Sequence, residues 1–271
     1  TRIAYVAVDG RPPRQTYRLI VADADGEGAR TVSESPLPLM SPAWSPDGEW
    51  LAYVSFESHS SAIWLQRVRT GERRRLLARP GINGSPAFEP TRGDRLAVTL
   101  STVGGNLDIY LVALADGALT RVTSDPAIDT EAVFSPDGRS LYFTSDRAGS
   151  PQIYRAEALA NAPAKRMTFT GSYNARPRLS PDGKQLAMVT LAGGSYRVAV
   201  QDLATGVVRQ LTKGPLDESP SFAPNGAMLI YAGRDRGQGV LATVAIDGLT
   251  TQRLKADEGE VREPVWGPRR P

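Results

Sequence analysis

The apolar positions of this chain recur in one unit. Residues 41–55 read SPAWSPDGEWLAYVS: a large side chain, a tight turn, then a run that is apolar on both faces. The unit returns from Ser85, Glu131, Arg176 and Ser219, and a sixth copy opens at Glu263 just before the last residue, Pro271. The shared prolines Pro46, Pro90, Pro136, Pro181, Pro224 and Pro268 stand 44, 46, 45, 43 and 44 residues apart. A period of this length belongs to repeats of four short strands.

Within each copy the pattern predicts strand, turn, strand. In Ser45-Pro46-Asp47-Gly48 the proline presets the second turn position, and glycine supplies the left-handed residue after it. The runs at 51–54, 96–98, 141–143, 186–189 and 229–231 read as strands sandwiched between neighbouring sheets. Third strands are predicted at 17–22, 63–68, 109–114, 152–156, 196–200 and 241–246, and short polar fourth strands at 74–77, 120–123, 166–168, 209–212 and 252–254. Hairpin dipeptides such as Asp116-Gly117 and Thr205-Gly206 join them. The second copy, Glu89-Pro90-Thr91-Arg92-Gly93-Asp94, is one residue longer, so its turn should differ. The Pro-rich segment 35–42 reads as a loop between repeats.

The ends complete the pattern. The last copy holds only a first strand, and Ile3-Ala4-Tyr5-Val6 matches the second strand Leu51-Ala52-Tyr53-Val54. The expected fold is all-β: a six-bladed β-propeller of four-stranded antiparallel blades. The N-terminus gives strands two to four of the closing blade and the C-terminus gives strand one, so that few sheet edges stay open. Residues 1–271 are expected to form a single domain.

Composition narrows the function classes. The formal charge is +3, from 32 basic and 29 acidic residues, and the basic residues are scattered apart from Arg73-Arg74-Arg75 and Arg269-Arg270. A solvated rim accounts for that better than a nucleic-acid footprint, which needs a basic stripe interleaved with stacking aromatics. Cysteine is absent, which removes disulfides and thiolate metal sites. No apolar run is long enough for a membrane helix. No secretory signal opens the chain, which starts directly on a strand, as removal of a leader and an upstream domain would leave it.

Enzyme signatures are sparse. The nearest match to a nucleophile elbow, Gly193-Gly194-Ser195-Tyr196-Arg197, lacks the final glycine, and the single histidine, His59, falls in a loop. No glycine-rich loop precedes a helix, so phosphate cradling is unsupported. Ser145-Asp146-Arg147 reads as a hairpin former, and Tyr5, Tyr53, Tyr110, Tyr142, Tyr154 and Tyr231 as packing between blades.

The loops leading into the innermost strands gather at one mouth of the tunnel. Alignment on the prolines puts Ser41, Ser85, Glu131, Arg176, Ser219 and Glu263 on one ring. Met40, Gly84, Thr130, Ala175, Glu218 and Arg262 form the ring before it, and Leu39, Asn83, Asp129, Asn174, Asp217 and Val261 the one before that. Asp129, Glu131, Asp217, Glu218 and Glu263 should then converge. One reading has them capping strand ends and pairing with Arg176 and Arg262. The other makes an acid-lined funnel for a cationic peptide or protein. These carboxylates are also where a Ca²⁺ would go, but without a D-x-D-x-D loop no resident metal or other cofactor is expected.

Three longer strings carry a family resemblance. They are Pro38 through Gly48 (PLMSPAWSPDG), Phe143-Thr144-Ser145-Asp146-Arg147 with Pro151-Gln152-Ile153-Tyr154, and Leu216 through Gly226 (LDESPSFAPNG). Together they resemble the propeller of the TolB family. The resemblance implies a non-catalytic periplasmic scaffold of the Tol–Pal cell-envelope system, supporting outer-membrane integrity and cell division. It implies a monomer whose mouth binds the peptidoglycan-associated lipoprotein Pal and is a target of colicin peptides. The family's loops for Pal fall on Met40-Ser41, Asn83-Gly84 and Thr130-Glu131. Ile82 stands where a family member has histidine, and Ser85 replaces an alanine. Contact with TolA belongs to an N-terminal α/β region that this sequence does not contain. The alternative reading is enzymatic: a metal-dependent lactonase-like propeller or the lid of a peptidase.

Overall fold

The computed structural model describes residues 1–101, 105–256 and 259–269, so Arg270 of the terminal basic pair lies outside the described residues. Six four-stranded antiparallel sheets form the chain, and no helix occurs among the described residues. The first blade runs Leu39–Trp44, Trp50–Ser55, Ala62–Arg67 and Arg73–Leu77 from the tunnel outwards. The next three begin on the inner strands Asn83–Phe88, Asp129–Phe134 and Asn174–Leu179, and the fifth on Glu218–Phe222. In the closing blade Glu260–Trp266 lies beside Arg2–Arg11, followed by Arg14–Asp23 and Arg30–Ser35. Ile3 pairs with Trp266 and Ala4 with Val265, so the two ends of the chain share one sheet, as the repeat arithmetic required.

The segment read as the loop 35–42 is mostly strand. Ser35 ends the outer strand of the closing blade and Leu39 starts the inner strand of the first, leaving only 36–38 between them. Proline is tolerated at position 42 because the inner strand is a sheet edge with a bulge there.

Each second strand is buried on both faces because each blade lies between two others. Leu51 and Tyr53 pack with Ala4, Val6 and Leu19 across one junction, and Leu96 and Val98 pack with Ala52 and Ile63 across the next. Tyr142 and Ile153 meet Leu186 and Met188 further round. A fully buried aliphatic side chain contributes about 1.5–3 kcal/mol, so the blade junctions are the core. Tyr5, Tyr53, Tyr142, Tyr154 and Tyr231 are all buried there. On the outer strand, Arg73 stacks over Trp64 at 4.0 Å and Arg74 donates to the Leu114 carbonyl of the next blade at 2.9 Å.

The turns after the inner strands follow their sequence. The Ser45 hydroxyl accepts from Trp50 N–H at 2.9 Å, Gly48 N–H reaches the Ser45 carbonyl at 2.9 Å, and Gly48 sits at φ 68°. The longer second turn is organised differently. The buried Glu89 carboxylate accepts the N–H groups of Thr91, Arg92 and Gly93 at 3.1, 2.6 and 3.2 Å and the Thr91 hydroxyl at 2.6 Å. It packs so closely on the third blade that a Cβ at Gly138 would lie 2.0 Å from Glu89 Oε1. Burial pushes the Glu89 carboxyl up, but these hydrogen bonds outweigh it and hold it below the usual range. A depressed carboxylate stabilises the fold above its unfolded pKa and loses that contribution as the pH falls through the folded value. Glu89→Ala is therefore expected to cost about 2 kcal/mol at neutral pH. It should also flatten the acid limb of a melting-temperature profile. Unchanged melting at neutral pH would show that the proline alone holds this turn.

Candidate functional site

The six aligned positions of the mouth share an unusual backbone. Ser41, Ser85, Glu131, Arg176, Ser219 and Glu263 all have positive φ, between 47° and 58°. Each lies at a bulge. Met40 pairs with Val54 and Ala43 with Ala52, so the inner strand spends one residue more than its partner. The same slip recurs at Gly84/Ala87, Thr130/Val133, Ala175/Arg178, Glu218/Ser221 and opposite Ala4/Val6. A left-handed non-glycine residue costs about 1–2 kcal/mol and persists only where surrounding structure enforces it. Here the ladders on either side enforce it, and the bulge turns the side chain towards the tunnel. The sequence signal was a proline inside a predicted strand, at 42, 86, 177, 220 and 264.

All six side chains line a cavity of about 440 Å³ that runs down the axis to the turn prolines Pro46, Pro90, Pro136, Pro181 and Pro268. Glu131 and Arg176 form an ion pair at 3.1 Å, and Arg176 also hydrogen-bonds the Ser219 hydroxyl. Glu263 accepts the Ser41 N–H. The Glu131 and Arg176 N–H groups donate to Thr99 and Thr144 of the preceding blades at 3.2 and 3.0 Å. Burial alone would lower the Arg176 guanidinium, but Glu131, Glu263 and Glu218 outweigh it and raise it. Glu218 and Arg262 lie beside the tunnel in a recess of about 330 Å³, where Arg262 pairs at 3.0 Å with Glu260, a residue the sequence did not single out.

The third aligned ring does not reach the funnel. Asp129 is 0% exposed and Asp217 3%. Asn83 and Asn174 are also buried. These side chains tie down the loops. Asn83 Nδ2 donates to the Ser61 and Arg79 carbonyls at 2.9 and 2.7 Å, and Asn174 Nδ2 to the Thr170 carbonyl at 2.8 Å. Asp217 accepts the Gly214 N–H at 2.8 Å. An acid-lined funnel built from all five carboxylates is thus corrected to a throat holding Glu131 and Glu263, because Asp129 and Asp217 are buried and Glu218 lies in the recess beside it. Met40, Gly84, Ser85 and Thr130 are half-buried on the mouth side.

Ser145-Asp146-Arg147 does more than shape a hairpin. Arg147 Nη2 donates to both Asp129 oxygens at 2.9 Å, and Arg147 Nε donates to Ser145 Oγ at 2.9 Å. Asp146 accepts the Ile128 N–H at 2.8 Å. The string therefore fixes the loop that carries Ile128, Thr130 and Glu131. The residues one step before the buried ring form an apolar rim: Ile82 is 50% exposed and Ile128 49%. Tyr173 occupies the same step in the fourth blade and meets Tyr196 edge-on at 5.2 Å. Sequence reading had Ile82 but missed Ile128 and Tyr173. Their signal was position, one residue ahead of each buried Asx.

Burial, and behind it the Asp217 carboxylate, pushes the Tyr231 hydroxyl up to about 12. Its folded pKa exceeds the unfolded value of about 10, so the stability gained by keeping it neutral is lost as the pH rises through that window. Asp217→Asn is expected to bring Tyr231 ionisation to lower pH, read from tyrosinate absorbance in an alkaline titration. An unmoved titration would leave burial as its only cause.

The profile of the TolB beta propeller domain matches residues 1–270. The Tol-Pal system protein TolB of Xanthomonas oryzae pv. oryzae (strain PXO99A) is 49% identical over 272 residues, covering 100% of this chain and 61% of that protein. That of Bordetella pertussis (strain Tohama I) is 47% identical over 269 residues, covering 99% and 60%. The crystal structure of TolB from Acinetobacter baumannii superposes with a TM-score of 0.92 at 47% identity, covering 99% of this chain and 67% of that one. The chain thus spans 61% and 60% of the length of these two curated relatives. Sequence and ring geometry agree over the full length: the chain belongs to the TolB β-propeller family.

Proposed function

We propose that residues 1–271 act as one domain, a non-catalytic periplasmic scaffold of the Tol–Pal system whose mouth docks Pal. In this reading it supports outer-membrane integrity and cell division, and colicin peptides compete for the same face. The observation that carries the reading is the exposed apolar rim of Ile82 and Ile128 around a throat where Glu131 and Arg176 pair with each other. Binding energy at an interface concentrates in a few anchors that lose their water on docking. The relatives' name, Tol-Pal system protein TolB, supports the choice of system.

The test is calorimetry of purified Pal against this chain and against Ile82→Asp with Ile128→Asp. Both residues are exposed, so the fold should survive. Binding is expected to weaken at least about 30-fold, or about 2 kcal/mol, on losing two anchors. Equal affinity would reject the rim as the docking face. An enzymatic reading would need oxygen ligands gathered around one cation. Among the described residues no group of three or more His, Cys, Asp or Glu side chains is placed to hold a metal, and His59 is exposed in its loop. In a screen of lactones and esters with added Ca²⁺ we expect no turnover; turnover abolished by chelator would overturn the scaffold reading.

A further inference from the structure

Among the described residues, four ionisable side chains line the tunnel: Glu131, Glu263, Arg176 and Arg178. Three are held. Glu131 and Arg176 pair with each other, and Glu263 accepts the Ser41 N–H. Arg178 is different. It lies two residues deeper than Arg176 on the same inner strand, and its one hydrogen bond goes to the neighbouring Pro177 carbonyl at 2.8 Å. Among the described residues no carboxylate forms an ion pair with it, though Glu131 and Glu263 lie close enough to act on its charge. A guanidinium stays charged at any pH a protein survives. Arg178 is half-buried, so its charge is only partly hydrated and its open N–H groups can take an acceptor.

We propose that Arg178 makes the tunnel a binding site for a carboxylate anion. The tunnel wall mixes the apolar Pro42, Ala87, Val133 and Val265 with the serines Ser180 and Ser221. A guanidinium meets a carboxylate through two parallel N–H bonds. A partly apolar sleeve around one cation suits a small organic acid, or the carboxylate of a peptide segment, whose stem packs on the apolar stretches. It suits phosphate poorly, since a second negative charge would find no second free cation among the lining residues. The same arrangement disfavours a metal ion, because Arg176 and Arg178 repel it from the two glutamates. Burial pushes the Arg178 guanidinium down and outweighs the opposing pull of Glu131 and Glu263. The wall also holds two buried indole N–H groups without acceptors among the described residues, those of Trp44 and Trp266.

The site lies below the rim and does not depend on what docks there, so its test uses small probes alone. Calorimetry would compare succinate, inorganic phosphate, a short peptide with a free C-terminus and the same peptide amidated. Succinate or the free peptide should bind saturably, and phosphate at least tenfold more weakly. Arg178→Gln should lower the affinity at least tenfold, while Arg178→Lys, which keeps the charge but not the paired N–H fork, should lose less. Ala87→Leu, which fills the sleeve and leaves the guanidinium in place, should weaken binding too, and this arm survives any misfolding of the Gln variant. Tighter binding of the free peptide than of succinate, lost on amidation, would assign the site to a chain terminus; the reverse order would assign it to a free organic acid. Absence of saturable binding by either, phosphate binding as tight as succinate, or undiminished affinity in both Arg178→Gln and Ala87→Leu would overturn the proposal.

Discussion

Arg147→Ala is expected to destabilise the fold by about 3–5 kcal/mol, the cost of leaving a buried carboxylate without its partner. Asp129 is 0% exposed, and Arg147 supplies both of its oxygens with N–H bonds at 2.9 Å. The same guanidinium lies 4.8 Å from the Tyr154 ring and 5.6 Å from that of Phe143, so its removal also strips packing from the third blade. Urea unfolding of the single variant measures the loss. The double variant Arg147→Met with Asp129→Leu tests the cause. It removes both charges, and should recover most of what the single variant loses, because a buried ion pair and an apolar replacement are close in stability. A single-variant loss below about 1 kcal/mol would show that solvent reaches Asp129 and that the clamp is not a clamp.

The second large effect concerns docking. Glu131→Arg combined with Thr130→Tyr is expected to weaken Pal binding by about 2–5 kcal/mol, or about 30- to several thousand-fold. Glu131 faces Arg176 at 3.1 Å, so the reversal sets two guanidiniums against each other in the throat, while the tyrosine crowds the half-buried position beside it. The melting temperature serves as the control. Glu131→Gln, which removes the charge without reversing it, should give an intermediate loss. If the reversed variant binds Pal as well as wild type does, the partner sits away from this mouth.

The architecture was legible in the sequence because its causes are local. A proline and a glycine mark each of the first five turns, an apolar run fixes each second strand, and simple spacing fixes the number of blades. Even the closure could be read, since Ile3 to Val6 repeats the composition of Leu51 to Val54 and pairs as that likeness required. The mouth was legible only as a set of rings. Which ring faces the tunnel depends on the bulge, and a one-residue slip reverses the face a strand presents. Asp129 and Asp217 therefore turned inwards to their loops while Glu131 and Glu263 turned towards the axis. Phe143-Thr144-Ser145-Asp146-Arg147 showed family likeness, but its work, holding Asp129 and the Ile128 N–H from another strand, is invisible without the register. Arg178 passed unnoticed because nothing local distinguishes a free cation from a paired one.

The positive-φ crown has one more implication. Serine, glutamate and arginine all occupy it with nearly the same dihedral. The conformation is dictated by the hydrogen-bonded ladders, and the identity of the side chain is left almost free. Selection could then rewrite these six positions, and with them the partner preference of the whole face, while the backbone beneath keeps its shape. A lineage could follow a drifting ligand through this crown alone, with no alteration to the blades that carry it.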